Sequence, residues 1–167
     1  MKIHLRALEP EDLDLLYHIE NDQSLWDVGT TNVPYSRYAL HDYIAHASSD
    51  IYADHQVRLM VENEQGQVVG IADLSDFDPR HLRAELSIVI MKAHRRCGYA
   101  SAIVSEVSRY ALEVLHLHQL YVVIDQCNEA SVALFRKYGW HAAATLSDWL
   151  FDGSSYRDAI VFQSILK

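Results

Sequence analysis

The chain has 167 residues, of which 50% are hydrophobic and 22% are charged, with only 6 glycines and 3 prolines. This composition indicates one ordinary globular domain over residues 1–167, and it excludes the disordered and collagen-like classes. The 14 Lys and Arg against 23 Asp and Glu give a formal net charge of −9, the wrong sign for a phosphate-backbone binder, so we expect no nucleic-acid partner.

The sequence carries no signal for a membrane or an oxidising compartment. Its aliphatic runs, such as 88–91 and 120–124, are far shorter than the roughly 20 residues of a membrane-spanning helix. The first residues lack the apolar stretch of a secretory signal. Cys97 and Cys127 make no disulfide framework. We therefore expect a cytoplasmic protein without membrane contact.

Hydrophobic periodicity in the first half of the chain changes from helical to strand-like. In order, it predicts a strand over 3–8, a helix that starts near Pro10 and presents Leu13, Leu16 and Tyr17, a helix capped by Ser36, and three strands over 56–62, 68–74 and 82–91. Gln65-Gly66 and Asp78-Pro79 supply turns between the strands, so we expect an antiparallel meander here.

The second half alternates strand and helix and ends in a hairpin. The predicted elements are a helix over 100–117, a buried strand over 120–124, a helix that Asn128 caps and Gly139 ends, and two strands over 140–151 and 156–165 about Asp152-Gly153. A strand, a helix and a second strand in this order imply a parallel crossover. The expected fold is α/β (α+β), with a mixed, mostly antiparallel sheet of about seven strands and about four helices.

The turn that follows the 82–91 strand has the composition of an anion site. Arg95 and Arg96 precede Gly98 and Ala100, where the long helix begins. The backbone N–H groups of a helix N-terminus carry a partial positive charge, which favours a pyrophosphate. Taken alone, the stretch fits an ordinary strand-to-helix turn with solvated arginines equally well.

Three further stretches complete a family pattern around this turn. They are Ala84-Glu85-Leu86-Ser87-Ile88-Val89-Ile90; Asn128-Glu129-Ala130-Ser131 followed by Phe135-Arg136-Lys137-Tyr138-Gly139-Trp140; and Tyr156-Arg157-Asp158-Ala159. With Arg95-x-x-Gly98-x-Ala100, they make the chain resemble the GNAT superfamily of N-acetyltransferases, in the branch of the spermidine and ribosomal-protein N-acetyltransferases. The resemblance covers nearly the whole chain and implies a single-domain GNAT fold whose sheet is splayed at its centre.

The resemblance also implies acetyl-CoA as the co-substrate, in a notch between the strands 82–91 and 120–124. The residues expected to contact it are Ile88, Val89 and Ile90, whose backbone would pair with the pantetheine arm, and Arg95, Arg96, Cys97, Gly98, Tyr99 and Ala100, which would hold the pyrophosphate. Gly98 and Ala100 are small, so a phosphate can approach the backbone. Arg96 departs from the nearest members of the family, which have Gly there.

Direct transfer to an amine needs a neutral nucleophile. An alkyl amine has a pKa of about 10.4 and arrives charged. Glu85, which matches a family Glu beside the cofactor, is the candidate to accept its proton through water; the alternative is a surface carboxylate paired with Arg83. Asn128 matches the family Asn near the pantetheine and thiol, and its alternative role as a helix N-cap is compatible with cofactor contact.

Phe135 stands where many GNAT relatives have the tyrosine that protonates the leaving thiolate, and the resemblance places it beside the cofactor. A phenyl ring has no proton to give. General-acid help is typically about 10²- to 10⁴-fold, and a thiol with a pKa of about 8.5 leaves tolerably as the thiolate, so its loss slows transfer without forbidding it. This position makes a non-catalytic acyl-CoA-binding protein on the same fold the alternative function.

The acceptor is expected to be a primary amine, namely a small amine, an amino sugar or a protein N-terminus. The candidate residues for its cleft are Trp26, Tyr35, Glu85 and Asp158, with Asp73 and Asp76 as further carboxylates. Polyamine acetyltransferases of this branch carry several acids near the start of the second helix. The corresponding stretch 30–36 has none, which weighs against spermidine.

Histidine spacing bears on a metal site, and the family resemblance bears on self-association. The ten histidines show no pair at the spacing that zinc sites favour on one helix face, so we expect no metal. A homodimer is compatible with the branch, although no residue pattern requires it.

Overall fold

One seven-stranded sheet organises the computed structural model, which describes residues 1–25 and 33–167. The strands are β1 (His4–Ala7), β2 (Val57–Glu62), β3 (Val68–Asp78), β4 (Arg83–Ile90), β5 (Gln119–Asp125), β6 (His141–Phe151) and β7 (Tyr156–Ile165). Their spatial order is β1-β2-β3-β4-β5-β7-β6, and all neighbouring pairs are antiparallel except β4 and β5. The predicted mixed, mostly antiparallel sheet is confirmed.

Five α-helices connect these strands within the two described ranges. They are α1 (Leu13–Glu20), α2 (Arg37–His46), α3 (Ile51–Asp54), α4 (Tyr99–Glu113) and α5 (Glu129–Lys137). The Ser36 side chain caps α2 by accepting the Ala39 N–H, as predicted. The pattern predicts no helix at α3, because four residues are too few to establish a helical period.

The end of α4 also differs from the prediction, which extends this helix to residue 117. The helix ends at Glu113, His116 has a left-handed φ of 54°, and Leu117 N–H donates to Ala111 O at 2.9 Å. A left-handed residue after the last turn, with a backbone bond from the next residue to a carbonyl of the helix, is a common way for a helix to end. Glycine is the usual residue in that conformation, so the histidine gave no signal that the helix stops there.

The two faces of the sheet carry separate hydrophobic cores. One core includes residues of α4 and α5 together with strand residues, among them Ile103, Val107, Phe135 and Phe162. The other core includes residues of α1, α2 and the strands, among them Leu16, Ile19, Leu40, Met60 and Ile71. Because α4 and α5 follow the parallel strands β4 and β5 and pack on the same face, both helices begin at the same end of that pair.

Gly70 of β3 keeps β3 and β4 close together. A Cβ atom at this position would lie 2.3 Å from Val89 O, a backbone atom that cannot move aside without shifting β4. We therefore expect Gly70→Ala to lower the free energy of unfolding by about 3 kcal/mol, the upper end for overpacking. Equilibrium urea denaturation measures the loss.

The control for this prediction is Gly66→Ala in the preceding turn. Gly66 has a φ of 73°, and a Cβ atom there would meet nothing within 4 Å, so only conformational strain of about 1 kcal/mol is expected. A loss for G70A no larger than that for G66A would contradict the close approach of the two strands.

Candidate functional site

The parallel strands β4 and β5 pair only at their beginnings. The register joins Arg83 to Gln119, Ala84 to Leu120 and Glu85 to Tyr121, and it stops there. Beyond this point β4 continues beside β3 and β5 continues beside β7. The two strands therefore part into a gap between residues 86–90 and 122–125, which we call the wedge. The splayed centre predicted for the sheet is present.

Alternation along β4 decides which backbone groups face the wedge. Met91 N–H donates to Val69 O on the β3 side, and successive residues of a strand direct their N–H and C=O groups to opposite sides. Ile88 and Ile90 thus direct theirs toward the wedge. Val89 directs its own toward β3, where its partner is Ile71. Of the three residues predicted to pair with an extended arm, the structure offers the backbone of Ile88 and Ile90 but not that of Val89.

The N-terminus of α4 is arranged for an anion at the open end of the wedge. Its N-cap is Gly98 with a φ of 87°, and within the described part of the chain no side chain caps it and no acid occupies its first turn. The first N–H groups of a helix have no partners inside the helix. Arg96 also has a left-handed φ of 59°, and such backbone turns direct successive N–H groups to one point. These features fit a pyrophosphate.

Arginine residues in this turn have two different roles in its geometry. Arg95 Nε donates to Ile90 O at 3.1 Å, which fixes the turn to the rim of the wedge. The left-handed φ of Arg96 explains why the resembling family has Gly at that position, since glycine adopts it without strain. Arg95, Arg96 and Cys97 are all exposed and accessible to a ligand.

Glu85 lies at the apex of the wedge, as the last residue of β4 paired with β5. Its carboxylate lies near the Val123 N–H on the other side of the gap. Burial raises the pKa of Glu85, and the charge of Asp76 raises the same pKa further, while the Val123 N–H acts in the opposite direction. A carboxyl with a raised pKa is suited to accepting a proton near neutral pH. Arg83, the partner considered for a surface ion pair, bonds to Asp78 at 3.1 Å instead.

Asn128 begins α5 directly after β5 and is thus at the same end of the parallel pair as Gly98. Its Oδ1 accepts the Ser131 N–H at 3.1 Å, which is the N-cap role considered from the sequence. The capping bond uses the amide oxygen. A contact between Asn128 and the thioester end of a cofactor stays a prediction.

Phe135 is a core residue in this structure. Its ring is 5% exposed, packs edge-on against Trp140 with centroids 4.8 Å apart, and stacks on Phe162 at 6.4 Å. The same core contains Ile88 and Ile124, which border the wedge from its two sides. The ring therefore supports the packing beneath the wedge, and its contact with a cofactor stays a prediction.

The structure does not bring all predicted acceptor residues to Glu85. Asp158 is two and four residues before the core residues Ile160 and Phe162 on β7, so it shares their α4–α5 face, whereas Glu85 lies on the opposite face. The Asp158 carboxylate accepts the Asp148 N–H at 3.0 Å and supports a bulge of β6. The sequence could not show this, because strand parity depends on register.

Tyr35, Trp26 and Asp73 are the other residues predicted for the acceptor cleft, and the structure describes two of them. Tyr35 precedes α2, where its N–H donates to Asn21 Oδ1 at 2.8 Å and its ring is exposed. Trp26 lies outside the described residues. Asp73 is bound by Arg58 through Nε at 2.8 Å and Nη2 at 2.9 Å, so its carboxylate has a structural partner.

Two features of the site have no signal in the sequence. The Val123 N–H becomes available to Glu85 only because the strands part. The Tyr138 hydroxyl at the end of α5 lies near Ser101 and Ser105 of α4, and these neighbours lower the pKa of Tyr138. Both depend on how distant segments meet, which no local pattern records.

The described residues, 1–25 and 33–167, also give information on metal ligands, membrane-spanning helices and cavities. These ranges hold no group of three His, Cys, Asp or Glu side chains arranged for a metal. None of their helices has the length and apolar character to cross a membrane. A cavity of about 250 Å³ lies beside Tyr43, and another of about 600 Å³ lies between the end of β5 and α5, beside Cys127 and Arg136. An extended ligand arm needs an open strand edge, which the wedge combines with a free helix N-terminus.

Comparisons with known proteins give the following similarities. The family model "Acetyltransferase (GNAT) domain" matches residues 2–141. The spermidine N(1)-acetyltransferase of Escherichia coli (strain K12) is 29% identical over 163 residues, which cover 95% of this chain and 83% of that protein. The structure of spermidine N-acetyltransferase from Vibrio cholerae in complex with CoA and spermine matches with a TM-score of 0.88 and 24% identity, over 98% of this chain and 95% of that chain. A dodecameric structure of the Vibrio cholerae protein matches with a TM-score of 0.83 and 26% identity, over 98% and 94% of the two chains.

Replacing Glu85 by Gln should change how stability depends on pH. A carboxyl whose pKa is raised by folding stabilises the protein fully below its unfolded pKa, here the ordinary 4.5, and this contribution is lost as the pH rises through the folded pKa. E85Q removes that loss. The variant should therefore gain stability relative to the wild type as the pH rises from about 4 to about 7.

Urea denaturation at a series of pH values measures this difference. Glu64→Gln removes one charge from an exposed position in the turn after β2 and is the matched control. A stability difference between E85Q and wild type that stays constant or shrinks as the pH rises would show that the Glu85 pKa is not raised by folding.

Proposed function

The chain belongs to the GNAT acetyltransferase family, and on that basis we propose that it transfers the acetyl group of acetyl-CoA directly to a primary amine at the wedge. The observation that carries this proposal is the parting of β4 from β5 after Glu85, beside the uncapped N-terminus of α4. A free strand edge suits a pantetheine arm, which has amide groups, and a free helix terminus suits a diphosphate.

The two substrates approach from opposite sides of the sheet in this proposal. The diphosphate binds at residues 95–100, and the arm follows the backbone of Ile88 and Ile90 into the wedge. The thioester then lies near the apex, where Glu85 belongs to the α1–α2 face. The acceptor amine comes from that face, so the nucleophile and the thioester meet in the gap.

The ammonium must lose one proton before its nitrogen can attack. Glu85 accepts this proton through water, and the nitrogen lone pair then attacks the thioester carbon. The nitrogen of the tetrahedral intermediate loses a second proton to water, the C–S bond breaks, and the CoA thiolate departs, which leaves a neutral amide.

A cationic amine is the proposed class of acceptor. The relatives named above are spermidine N-acetyltransferases, and the two carboxylates Asp76 and Glu85 give the acceptor side of the wedge a negative charge. Residues 33–36 and the N-terminal turn of α2 still lack the acids expected of the polyamine branch. Spermidine therefore belongs in the same panel as small amines, amino sugars and peptide N-termini.

Detection of free thiol during incubation with acetyl-CoA and single amines tests the function. The proposal predicts thiol release that depends on at least one amine and that falls by about 10²-fold in E85Q. Tight CoA binding without stimulation by any amine would support the alternative, an acyl-CoA-binding protein without transferase activity.

Self-association and location are part of the proposal. The Vibrio cholerae relative forms a dodecamer, and the β6–β7 hairpin of this chain exposes Trp149, Phe151 and Tyr156 by 59%, 61% and 63%. Exposed aromatic clusters are typical of protein interfaces. We therefore propose that copies of the chain associate.

The cytoplasm is the proposed location, because Cys97 and Cys127 are free and exposed, which fits a reducing compartment.

Replacing Phe135 by Tyr should raise turnover with a good acceptor by about 10- to 100-fold, because it supplies a proton donor for the thiolate. The ring lies against Trp140 and Phe162, so the added hydroxyl is tolerated only where it reaches the wedge. A hydroxyl left without a partner in the core would destabilise the protein by about 1–3 kcal/mol.

Turnover, CoA affinity and the melting temperature are measured together for this variant. Unchanged turnover in an F135Y protein that is stable and binds CoA normally would contradict the idea that a missing acid limits the rate.

A further inference from the structure

We propose that Arg157 is a positioning residue for the cofactor, which fixes one side of the entrance to the wedge through Asp125. Arg157 acts on residues 125–128, which join β5 to α5 and which we call the β5–α5 turn. This inference deepens the proposed function and rests on it, because it concerns how the wedge holds the arm of acetyl-CoA.

Two turns border the open end of the wedge. On the β4 side, Arg95 Nε fixes the turn before α4 by donating to Ile90 O at 3.1 Å. On the other side, β5 ends at Asp125 and the β5–α5 turn follows. Both turns lie at the same end of the parallel pair. An arm that enters from the diphosphate site at residues 95–100 therefore passes the β5–α5 turn, whose position sets the width of the entrance.

Asp125 organises the β5–α5 turn with its carboxylate and its backbone. The Oδ1 atom accepts the Cys127 N–H at 2.8 Å, and the backbone C=O accepts the Asn128 N–H at 2.8 Å. The Oδ2 atom lies 3.1 Å from Arg157 Nε. Because Asn128 caps α5, a change in the orientation of Asp125 also moves the start of this helix.

The register of β5 and β7 places Arg157 within reach of this carboxylate. Asp125 is paired with Ala159, so Arg157, two residues before Ala159, lies on the same face of the sheet and diagonally across from Asp125. The side chains of Arg157 and Asp125 are 30% and 12% exposed. Solvent and salt screen such a half-buried ion pair less than an exposed one.

The contact between Arg157 and Asp125 depends on charge more than on direction. Arg157 Nε is buried, yet it forms no hydrogen bond to any group in residues 1–25 and 33–167. Its N–H is thus not aimed at the Asp125 oxygen 3.1 Å away. Because the pair lacks the bidentate geometry that only arginine provides, a lysine at this position should keep most of the attraction.

Arg157 is also anchored to the β6–β7 hairpin. Its Nε atom lies 3.8 Å from Asp152 Oδ2. Asp152 is itself fixed in the hairpin turn, where its Oδ1 accepts the N–H groups of Ser154 at 2.9 Å and Ser155 at 2.8 Å. Arg157 therefore lies between a carboxylate of the hairpin and a carboxylate of the β5–α5 turn. Without the cation these two like charges repel each other and the turn is displaced.

Calorimetric titration with two ligands tests the inference. One ligand is CoA, and the other is 3′-phosphoadenosine 5′-diphosphate, which has the nucleotide and diphosphate of CoA but no arm. The wild type should bind CoA more tightly. Arg157→Gln should weaken CoA binding by about tenfold and leave the affinity for the nucleotide unchanged, whereas Arg157→Lys should restore most of the CoA affinity. With acetyl-CoA and an amine acceptor, kcat/KM for acetyl-CoA should fall by about the same factor in R157Q.

Arg6 provides a matched control for a purely structural effect. It also lies between two carboxylates, Asp12 at 2.7 Å and Glu62 at 2.6 Å, and its side chain is 25% exposed. It belongs to β1, at the opposite edge of the sheet from the hairpin. Arg6→Gln should lower the melting temperature while it keeps the ratio of the two affinities.

A double-mutant cycle shows whether Arg157 acts through Asp125. Asp125→Asn keeps an oxygen for the Cys127 N–H but loses the charge that attracts Arg157. CoA binding should therefore weaken in D125N as it does in R157Q. Because both changes break the same contact, their effects on CoA affinity should not add in the double variant.

The outcomes also separate this inference from the proposed function. Unchanged CoA affinity in R157Q, an equal loss for CoA and the nucleotide, the same change of ratio in R6Q, or additive losses in the double variant would overturn the role of Arg157 and leave the acetyltransferase activity intact. If the wild type does not bind CoA, or if no amine stimulates thiol release, the proposed function fails and the inference fails with it.

Discussion

The parting of β4 from β5 is the constraint on which the site depends. In the middle of a sheet, unpaired N–H and C=O groups are unfavourable unless something satisfies them. Side chains lie beside two of them here: Arg95 donates to Ile90 O, and the Glu85 carboxylate lies near the Val123 N–H. The residues that support the open edges are thus also those that the proposed chemistry uses, so the gap and the site form one structure.

Charge is divided between the two sides of this gap. The open N-terminus of α4 offers positive potential at residues 95–100, whereas Asp76 and Glu85 give negative potential at the apex on the other face. An anionic cofactor and a cationic acceptor would each be attracted to its own side and repelled from the other. The net charge of −9 alone could not indicate this, because it says nothing about position.

Much of the fold could be predicted from the sequence because its elements carry strong periodicity and clear end signals. Ser36 and Asn128 cap the helices that they were predicted to cap, and the hairpin turns about Asp152-Gly153. The backbone anion site also follows from local sequence, since a strand, a glycine-containing turn and a helix are consecutive. These features depend on residues that are neighbours in the chain.

The remaining features depend on register and tertiary packing. The bulge at Asp76, the face occupied by Asp158 and the side to which Val89 directs its backbone are all decided by how β3, β5 and β7 align with their neighbours. A shift of one residue would reverse each of them. The buried position of Phe135 likewise depends on Trp140 and Phe162, which approach only in the folded chain.

Amide hydrogen exchange measured by NMR, residue by residue, tests the central claim most directly. The account predicts that the Ile88 amide exchanges quickly in the free protein, because it faces the wedge, and becomes protected when acetyl-CoA is added. The Val89 amide, which faces β3, should be protected in both states. Slow exchange at Ile88 in the free protein, or no added protection with acetyl-CoA, would show that the strand edge is not open to the cofactor.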